Sequence, residues 1–277
     1  MKTIKTILIL CVALCFVTSC KKEVDMTLMQ KTVLENADIR QIEVSDAWLV
    51  TVIADSCNFV ELEYSAYLEP GLDIKMEGSE LAIGFTGNVY PAINSVFRAS
   101  VHTNRIEKIE VEDATTINFM GTFEGDQLTL ELSNSSVCNG LHFTGEHCEI
   151  KLDNASKLLD FLFDGPSCKV ELHDASQFNG QIHAREALHI DLEDASRFVN
   201  KGGQTAQADI KVKHASLLNM VETQVQEMHV ELVGTSEATV WVYPLLRCTL
   251  TDASTLYYKG NPQLQVNCDE SSEIVPL

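Results

Sequence analysis

The sequence is short of positive charge. It has 20 Lys and Arg residues against 40 Asp and Glu residues in 277, a formal net charge of −20 at pH 7. A chain of this sign is repelled by a phosphate backbone, which excludes nucleic-acid binding as a general function. Apolar residues at 45% and charged residues at 22% are ordinary for a folded chain, so wholesale disorder is excluded as well.

The sequence also lacks the motifs of common catalytic sites. It contains no P-loop, no dinucleotide-binding fingerprint and no nucleophile elbow. No useful length of it has the 3.6-residue periodicity of an amphipathic helix, which excludes a helical repeat. We therefore predict a chain that is not an enzyme and holds no cofactor.

The apolar run at the N-terminus is too short to cross a membrane. Residues 1–19 combine Lys2 and Lys5 with an apolar stretch from Ile7 to Val17, the pattern of a secretory signal peptide. The sequence thus predicts an exported protein.

The end of this segment, Val17-Thr18-Ser19-Cys20, resembles the lipobox of bacterial lipoproteins. The resemblance implies cleavage before Cys20 and acylation of the new N-terminus, with palmitate among the acyl chains. Several acyl chains anchor a protein without a transmembrane helix. We expect residues 20–30 to form a tether to the cell envelope, assigned to the outer membrane with the periplasmic and surface faces both open. The alternative is an ordinary signal peptide with a chance cysteine.

From residue 106 onward one short phrase recurs. Its nine copies are Asp113-Ala114-Thr115, Asn134-Ser135-Ser136, Asn154-Ala155-Ser156, Asp174-Ala175-Ser176, Asp194-Ala195-Ser196, His214-Ala215-Ser216, Gly234-Thr235-Ser236, Asp252-Ala253-Ser254 and Glu270-Ser271-Ser272. Their spacings are 21, 20, 20, 20, 20, 20, 18 and 18 residues. A period of this size is typical of stacked supersecondary units.

Before each phrase the chain alternates apolar and polar residues, as in residues 148–152, 168–172 and 188–192. Alternation of period two indicates a strand with one buried face. A strand that returns every 20 residues lies parallel to its predecessor. The sequence therefore predicts an all-β chain whose residues 106–277 form a right-handed, single-stranded parallel β-helix of about 20 residues per coil. The phrase itself fits a corner at which an Asp or Asn side chain bonds its own downstream backbone.

Two columns of apolar residues are expected to point inward. One precedes the corners (Leu128, Cys148, Cys168, Leu188, Ala208, Met228 and Leu246) and one follows them (Ile117, Cys138, Leu158, Phe178, Phe198, Leu218, Ala238 and Leu256). Export permits disulfides. The inward column nevertheless predicts that Cys148 and Cys168 are packing residues, and it leaves the state of Cys57, Cys138, Cys248 and Cys268 open.

Residues 31–105 alternate like strands but lose the period. We read Asp46-Ala47 and Gly78-Ser79 as degenerate corners. The sequence predicts an irregular, β-rich N-terminal part that covers the open end of the regular solenoid, because a terminal unit has to protect exposed strand edges.

The lipobox, the corners and the closing segment Tyr257-Tyr258-Lys259-Gly260-Asn261-Pro262 together resemble the family called putative auto-transporter adhesin, head GIN domain (DUF2807). The most specific element is residues 252–258 leading into Gly260-Asn261-Pro262. The resemblance covers most of residues 31–277. It implies a secreted or envelope-anchored β-helix and an adhesin-like role without an established reaction.

The candidate binding residues are Trp241, Tyr243, Tyr257 and Tyr258, aromatic side chains that suit stacking on sugar rings. Packing within the core and end cap is the alternative. The Ser and Thr column from Thr115 to Ser272 is read as corner packing, with a ligand-gripping hydroxyl ladder as its alternative. We predict no metal site. Asp174 and Asp194 are expected on adjacent coils, where they could attract calcium, but the sequence lacks the glycine-rich repeats of calcium-loaded β-rolls. No two of His173, His189, His214 and His229 show the close spacing of a zinc pair.

Three function classes remain. The first is an adhesin-like module that recognises a glycan or a surface protein and contacts the membrane through its anchor. The second is a purely structural envelope protein. The third, a polysaccharide-acting β-helix enzyme, is disfavoured because coils of near-minimal length leave no long loops to form a catalytic groove. The oligomeric state is not predicted.

Overall fold

The computed structural model describes residues 24–87 and 89–277. The chain is 67% strand and 2% helix, and its described helical element is a short 3-10 helix, Ala66–Gly71. The strands in chain order are β1 (Leu28–Val33), β2 (Gln41–Val44), β3 (Leu49–Ala54), β4 (Phe59–Ser65), β5 (Leu72–Glu77), β6 (Glu80–Phe85), β7 (Phe97–Thr103), β8 (Lys108–Val111), β9 (Thr116–Met120), β10 (Thr122–Leu132), β11 (Val137–Asn139), β12 (His142–Leu152), β13 (Lys157–Leu172), β14 (Gln177–Leu192), β15 (Arg197–Asn200), β16 (Gln204–Lys213), β17 (Leu217–Val233), β18 (Glu237–Thr251), β19 (Thr255–Lys259), β20 (Gln263–Cys268) and β21 (Glu273–Pro276).

Successive coils about 20 residues apart stack into a parallel β-helix of about eight turns, which confirms the predicted fold class. Cys148 pairs with Leu128 below it and with Cys168 above it. We name three faces of the stack. Face A holds the strand segments before each corner, such as residues 148–152. Face B holds the segments after the corner, such as residues 157–159. Face C holds those that lead back to face A, such as residues 162–165.

The corners owe their residue choice to backbone conformation. In the coil at Asp174-Ala175, φ is 53° and 62° at the two positions, and the other regular corners from residue 113 to 253 repeat this left-handed pair. Asp, Asn and Gly tolerate that region best, which accounts for the residues at the first position of most corners but not for the Ala at the second. The Ala175 N–H donates to the Asp194 carbonyl of the next coil at 2.8 Å. The prediction that a corner side chain bonds its own downstream backbone is wrong for the described corners. Asn154 Nδ2 instead donates to Asn134 Oδ1 in the coil below, at 3.3 Å.

The interior is built from the two predicted inward columns, whose members are all buried. In the column after the corners, the rings of Phe178 and Phe198 stack with centroids 4.5 Å apart and an interplanar angle of 14°. Face C adds Phe143 and Phe163, stacked at 6.3 Å. The assignment of inward positions from the period of two is therefore confirmed.

Cys148 and Cys168 face each other across adjacent coils inside this core. Their side chains are 0% and 3% exposed, and both thiols are free. Burial, together with the neighbouring Cys168, raises the pKa of the Cys148 thiol well above its usual value. A neutral thiol in this position acts as a small apolar side chain.

We expect Cys148 and Cys168 to resist iodoacetamide in the folded protein and to be alkylated fully after unfolding without reductant, because their shielding is steric. The exposed Cys57 serves as the control and is expected to react in both states. Peptide mass spectrometry measures all three. Recovery of a disulfide-linked peptide joining Cys148 to Cys168 would show that the prediction is wrong.

The N-terminal segment stacks in an order that differs from the chain order. Strand β2 lies between β6 on its outer side and β8 on its inner side, and β3 lies likewise between β7 and β9. The coil of β2 and β3 is therefore enclosed, and its corner Asp46-Ala47 has the same left-handed pair of φ values as the regular corners, 61° and 60°.

An outer layer closes this end of the stack. It is antiparallel where β1 pairs with β4, β4 with β7 and β5 with β6. Beneath it the fully buried Trp48 ring lies 5.4 Å from Phe85 and 5.9 Å from Phe97. The interpretation of Gly78-Ser79 as a degenerate corner is wrong, because these residues form the turn of the antiparallel hairpin β5–β6.

Candidate functional site

The predicted anchor residue Cys20 lies outside the described residues, so its acylation stays a prediction. Within residues 24–87 and 89–277, no helix is long and apolar enough to cross a membrane.

The four candidate aromatic residues lie near the C-terminal end of the stack, but they point in different directions. Tyr243 is 55% exposed. Tyr257 faces outward on β19, whereas Tyr258 packs partly against the core. The face of Trp241 is covered by the Lys259 ammonium, whose Nζ lies 3.8 Å from the ring centroid. A cation–π contact of this kind occupies the ring face that a sugar would stack on. The role of these residues in binding stays a prediction.

The hydroxyls of the corner phrase are not available to a ligand along most of the stack. Thr115 and the Ser residues of the next seven phrases are at most 1% exposed and point into the solenoid. Ser136 Oγ donates to the Val111 carbonyl at 2.9 Å and Ser236 Oγ to the Val212 carbonyl at 3.0 Å. The alternative of a ligand-gripping hydroxyl ladder is therefore wrong for these eight coils, and corner packing is confirmed.

The structure brings together a second surface that the sequence analysis did not single out. A groove of about 460 Å³ runs across the coils at the start of face A, and we call it the lateral groove. Its exposed lining beside the wall comes from Ala187, Gln207 and Glu227 of successive coils, because the inward residues between the two columns are buried. Its open, shallow shape is suited to contact with an extended chain.

The wall of the lateral groove carries a histidine–carboxylate column. His189, Asp209 and His229 are direct neighbours in successive coils, which are about 4.8 Å apart. Asp209 lies 3.8 Å from His189 Nδ1 and 3.3 Å from His229 Nδ1. All three side chains are 37% to 53% exposed, so their remaining hydrogen-bonding groups are accessible to a ligand.

Further charges of both signs lie along the same groove. Lys169 Nζ donates to Glu149 and to Glu171, both at 2.9 Å. The hydrogen bond from Lys169 lowers the pKa of the Glu149 carboxyl, and the two carboxylates raise the pKa of the Lys169 ammonium. At the other end Arg247 lies 3.7 Å from Glu227. The groove therefore offers donors and acceptors for uncharged polar ligands and has no single dominant sign of charge.

The sequence contained a signal for this column. His189 and His229 are 40 residues apart with Asp209 midway, which places all three on one outward column in a 20-residue coil. A short zinc-ligand spacing is the wrong measure for these histidines, because they are related by this longer register. In residues 24–87 and 89–277 no group of three or more His, Cys, Asp or Glu side chains converges well enough to hold a metal ion.

The fold defines a class: a parallel β-helix built from short coils of about 20 residues. The chain belongs to the family described as putative auto-transporter adhesin, head GIN domain (DUF2807), whose model matches residues 38–262. The predicted family resemblance is thereby confirmed, and the family match supports an adhesin-like role.

Solved structures share the fold at low sequence identity. A putative adhesin from Parabacteroides merdae ATCC 43184 is 15% identical, with a TM-score of 0.63 over 92% of this chain and 98% of that chain. A putative adhesin from Parabacteroides distasonis ATCC 8503 is also 15% identical, with a TM-score of 0.62 over 91% of this chain and 98% of that chain. A putative lipid binding protein from the same organism is 12% identical, with a TM-score of 0.64 over 90% of this chain and 96% of that chain. No curated protein matches the chain.

Proposed function

We propose that the protein is a non-catalytic, adhesin-like recognition module of the cell envelope that binds an extended glycan along the lateral groove. The observation that carries this proposal is the groove itself. Its polar wall residues His189, Asp209 and His229 repeat at the coil spacing, beside a second outward column that contains Gln207 and Glu227. Sugars present rows of hydroxyl groups, and these repeated hydrogen-bond donors and acceptors match them.

The absence of an enclosing wall supports binding rather than catalysis. Coils in the regular part have little chain beyond their strands, and the connection between β13 and β14 is only four residues long. Catalytic sites exclude water with loops or lids. A groove open to solvent along its length suits an adhesive contact, which gains strength from many weak polar contacts in a row.

The recognition module is placed at the envelope by its N-terminus. The anchor is the acylated Cys20 in the outer membrane. The tether is shorter than the predicted residues 20–30, because residues 28–30 belong to strand β1 and pair with β4. The first described strand, β1, begins at Leu28 in the outer layer of the stack, so a short tether holds the capped end nearest the membrane and leaves the lateral groove free.

We expect the mature chain to begin at an acylated Cys20. Mass spectrometry of the N-terminal peptide from a membrane fraction is expected to show the diacylglycerol adduct, and a Cys20→Ala variant is expected to leave that fraction. An unmodified N-terminus, or a Cys20→Ala variant that stays equally membrane-bound, would contradict the expectation.

The glycan proposal is tested with the chain from residue 21 onward on a glycan array, followed by titration of the strongest ligand. Asp209→Ala is expected to weaken binding at least tenfold, about 1.4 kcal/mol, because Asp209 is the central acceptor of the groove wall. Lys211→Ala is the matched control, since Lys211 lies on the same strand β16 outside the groove. Binding is expected to be unchanged in that control.

A third variant distinguishes the two candidate surfaces. Tyr243→Ala removes the most exposed of the C-terminal aromatic rings and is expected to leave affinity unchanged. An array without ligands, or affinity lost in Tyr243→Ala and kept in Asp209→Ala, would overturn the assignment to the lateral groove.

A further inference from the structure

The two ends of the solenoid are finished differently. Among the described strands, β20 pairs only with β18 and β21 only with β19, both on the side of the preceding coil. The other edge of each strand carries backbone N–H and C=O groups without a strand partner. Such an edge is a template for pairing with another chain.

The last coil exposes residues of the core column. Leu264 and Val266 on β20 are 39% and 43% exposed. Their register partners in the preceding coil, Leu246 and Cys248, are 0% and 3% exposed. The end of the stack is therefore an apolar face bordered by a free strand edge.

Strand β20 is also the one described face A segment without a charged side chain. Its outward residues are Gln265 and Asn267. Every other described face A segment carries at least one Asp, Glu, Lys or Arg, as at Arg247 in the coil below. Charge on an edge strand is the usual protection against edge-to-edge association. The neighbouring edge β21 has such protection, from Glu273 and Pro276.

The opposite end does not offer a matching edge. The outermost strand on its face A side, β5, carries Asp73, Lys75 and Glu77. Outermost on its face B side is β1, which carries Lys31 and pairs in an antiparallel sense. Head-to-tail stacking of coils into a filament is therefore disfavoured, and a closed arrangement has to join two C-terminal ends.

We propose that the free edge of β20 is the interface of a symmetric dimer, in which β20 pairs antiparallel with β20 of a second copy. In a register centred on Val266, the Val266 side chains of the two copies meet and Leu264 of each copy faces Cys268 of the other. The flanking Asp269 then meets Gln263, so no like charges are opposed. A second copy is the occupant because it presents the same uncharged edge and apolar end face.

The net charge of the chain predicts how this dimer depends on salt. Two copies of a chain with a net charge of −20 repel each other at long range. Salt screens that repulsion beyond about 10 Å at 0.1 M, while the uncharged contact between the strands is unaffected. The dimer is therefore stronger at high ionic strength, unlike an association held by ion pairs.

Sedimentation velocity of the chain from residue 21 onward, which contains the whole described fold, tests the proposal. The wild type is expected to sediment as a dimer at micromolar concentration, and Val266→Lys as a monomer at the same concentration. Thr249→Lys is the matched control, because it adds the same charge away from the edge. Thr249 faces outward on β18, one coil inside the edge, where it pairs with Asn267. This variant is expected to remain dimeric.

A crosslink separates dimerisation at this edge from association elsewhere. The crosslink is made in a chain whose Cys57, Cys248 and Cys268 are replaced by alanine, since Cys248 is the register partner of Val266 and the other two thiols are exposed. In that background Val266→Cys, oxidised with copper phenanthroline, is expected to form a disulfide-linked dimer, whereas Thr249→Cys is not. A monomeric wild type, a filament, or a dimer that survives Val266→Lys would overturn the proposal. The readout needs no glycan, so its failure is distinguishable from failure of the proposed function.

Discussion

Replacing Phe178 with alanine is expected to lower the free energy of unfolding by about 3–5 kcal/mol. Phe178 is 1% exposed and stacks on Phe198 at 4.5 Å, while the Phe161 ring meets it edge-on at 5.9 Å. Truncation removes the transfer free energy of the ring and leaves a cavity. Neighbouring coils cannot fill that cavity, because backbone ladders fix their spacing.

Lys211→Ala is the control for this prediction. Lys211 lies on the outer side of face A between Asp191 and Glu231 of the adjacent coils, and its removal is expected to cost under about 1 kcal/mol. Urea denaturation at constant m-value measures both variants. Small and equal losses in the two variants would mean that the inward positions are assigned to the wrong face.

The regular coils could be predicted from the sequence because two periods agree there. A period of two assigns Phe178 inward and Gln177 outward, and a period of 20 places Leu158 and Phe198 directly next to Phe178. Each local choice is thereby repeated by its neighbours, and tertiary context has little left to decide.

The N-terminal order could not be predicted in this way. Residues 41–44 alternate like any face A strand, yet their two partners are residues 80–83 and 108–111. Alternation tells which side of a strand is buried and says nothing about which strand lies beside it. The corner at Asp46-Ala47 has the local signal of a coil, but Asp46 and Asp113 are 67 positions apart, which is not a multiple of the coil period and hides the register.

The lateral groove was not predicted from the sequence, and the role of the aromatic candidates in binding stays a prediction. Residue type alone selected Tyr257 and Tyr258, although alternation along β19 turns one outward and the other toward the core. The lateral groove depends on two outward columns that lie side by side, such as Gln207 next to Asp209. That combination becomes visible only when the coils are stacked side by side.

Gly165→Ala is expected to destabilise the protein by about 3 kcal/mol, the upper end of the usual cost of overpacking. Gly165 lies on face C one coil above Gly145, and a Cβ at residue 165 would collide with the Gly145 carbonyl oxygen and the Phe163 ring. A backbone carbonyl cannot turn away as a side chain does, and the Phe163 ring is held in its stack on Phe143. The collision can be relieved only if two coils move apart, which weakens the hydrogen bonds between them.

Gly125→Ala provides the matched control, because Gly125 pairs with Gly145 in the same column and a Cβ there would meet nothing closer than the Phe143 ring at 3.5 Å. At this ordinary contact distance the new methyl group causes no collision, and the main effect is the small stabilisation from replacing glycine in a strand. The free energy of unfolding is therefore expected to change by no more than about 1 kcal/mol. Urea denaturation of the two variants measures a difference that arises from the approach of the coils alone. If Gly165→Ala were as stable as Gly125→Ala, the coils would not be as closely spaced at face C as the column of glycines requires.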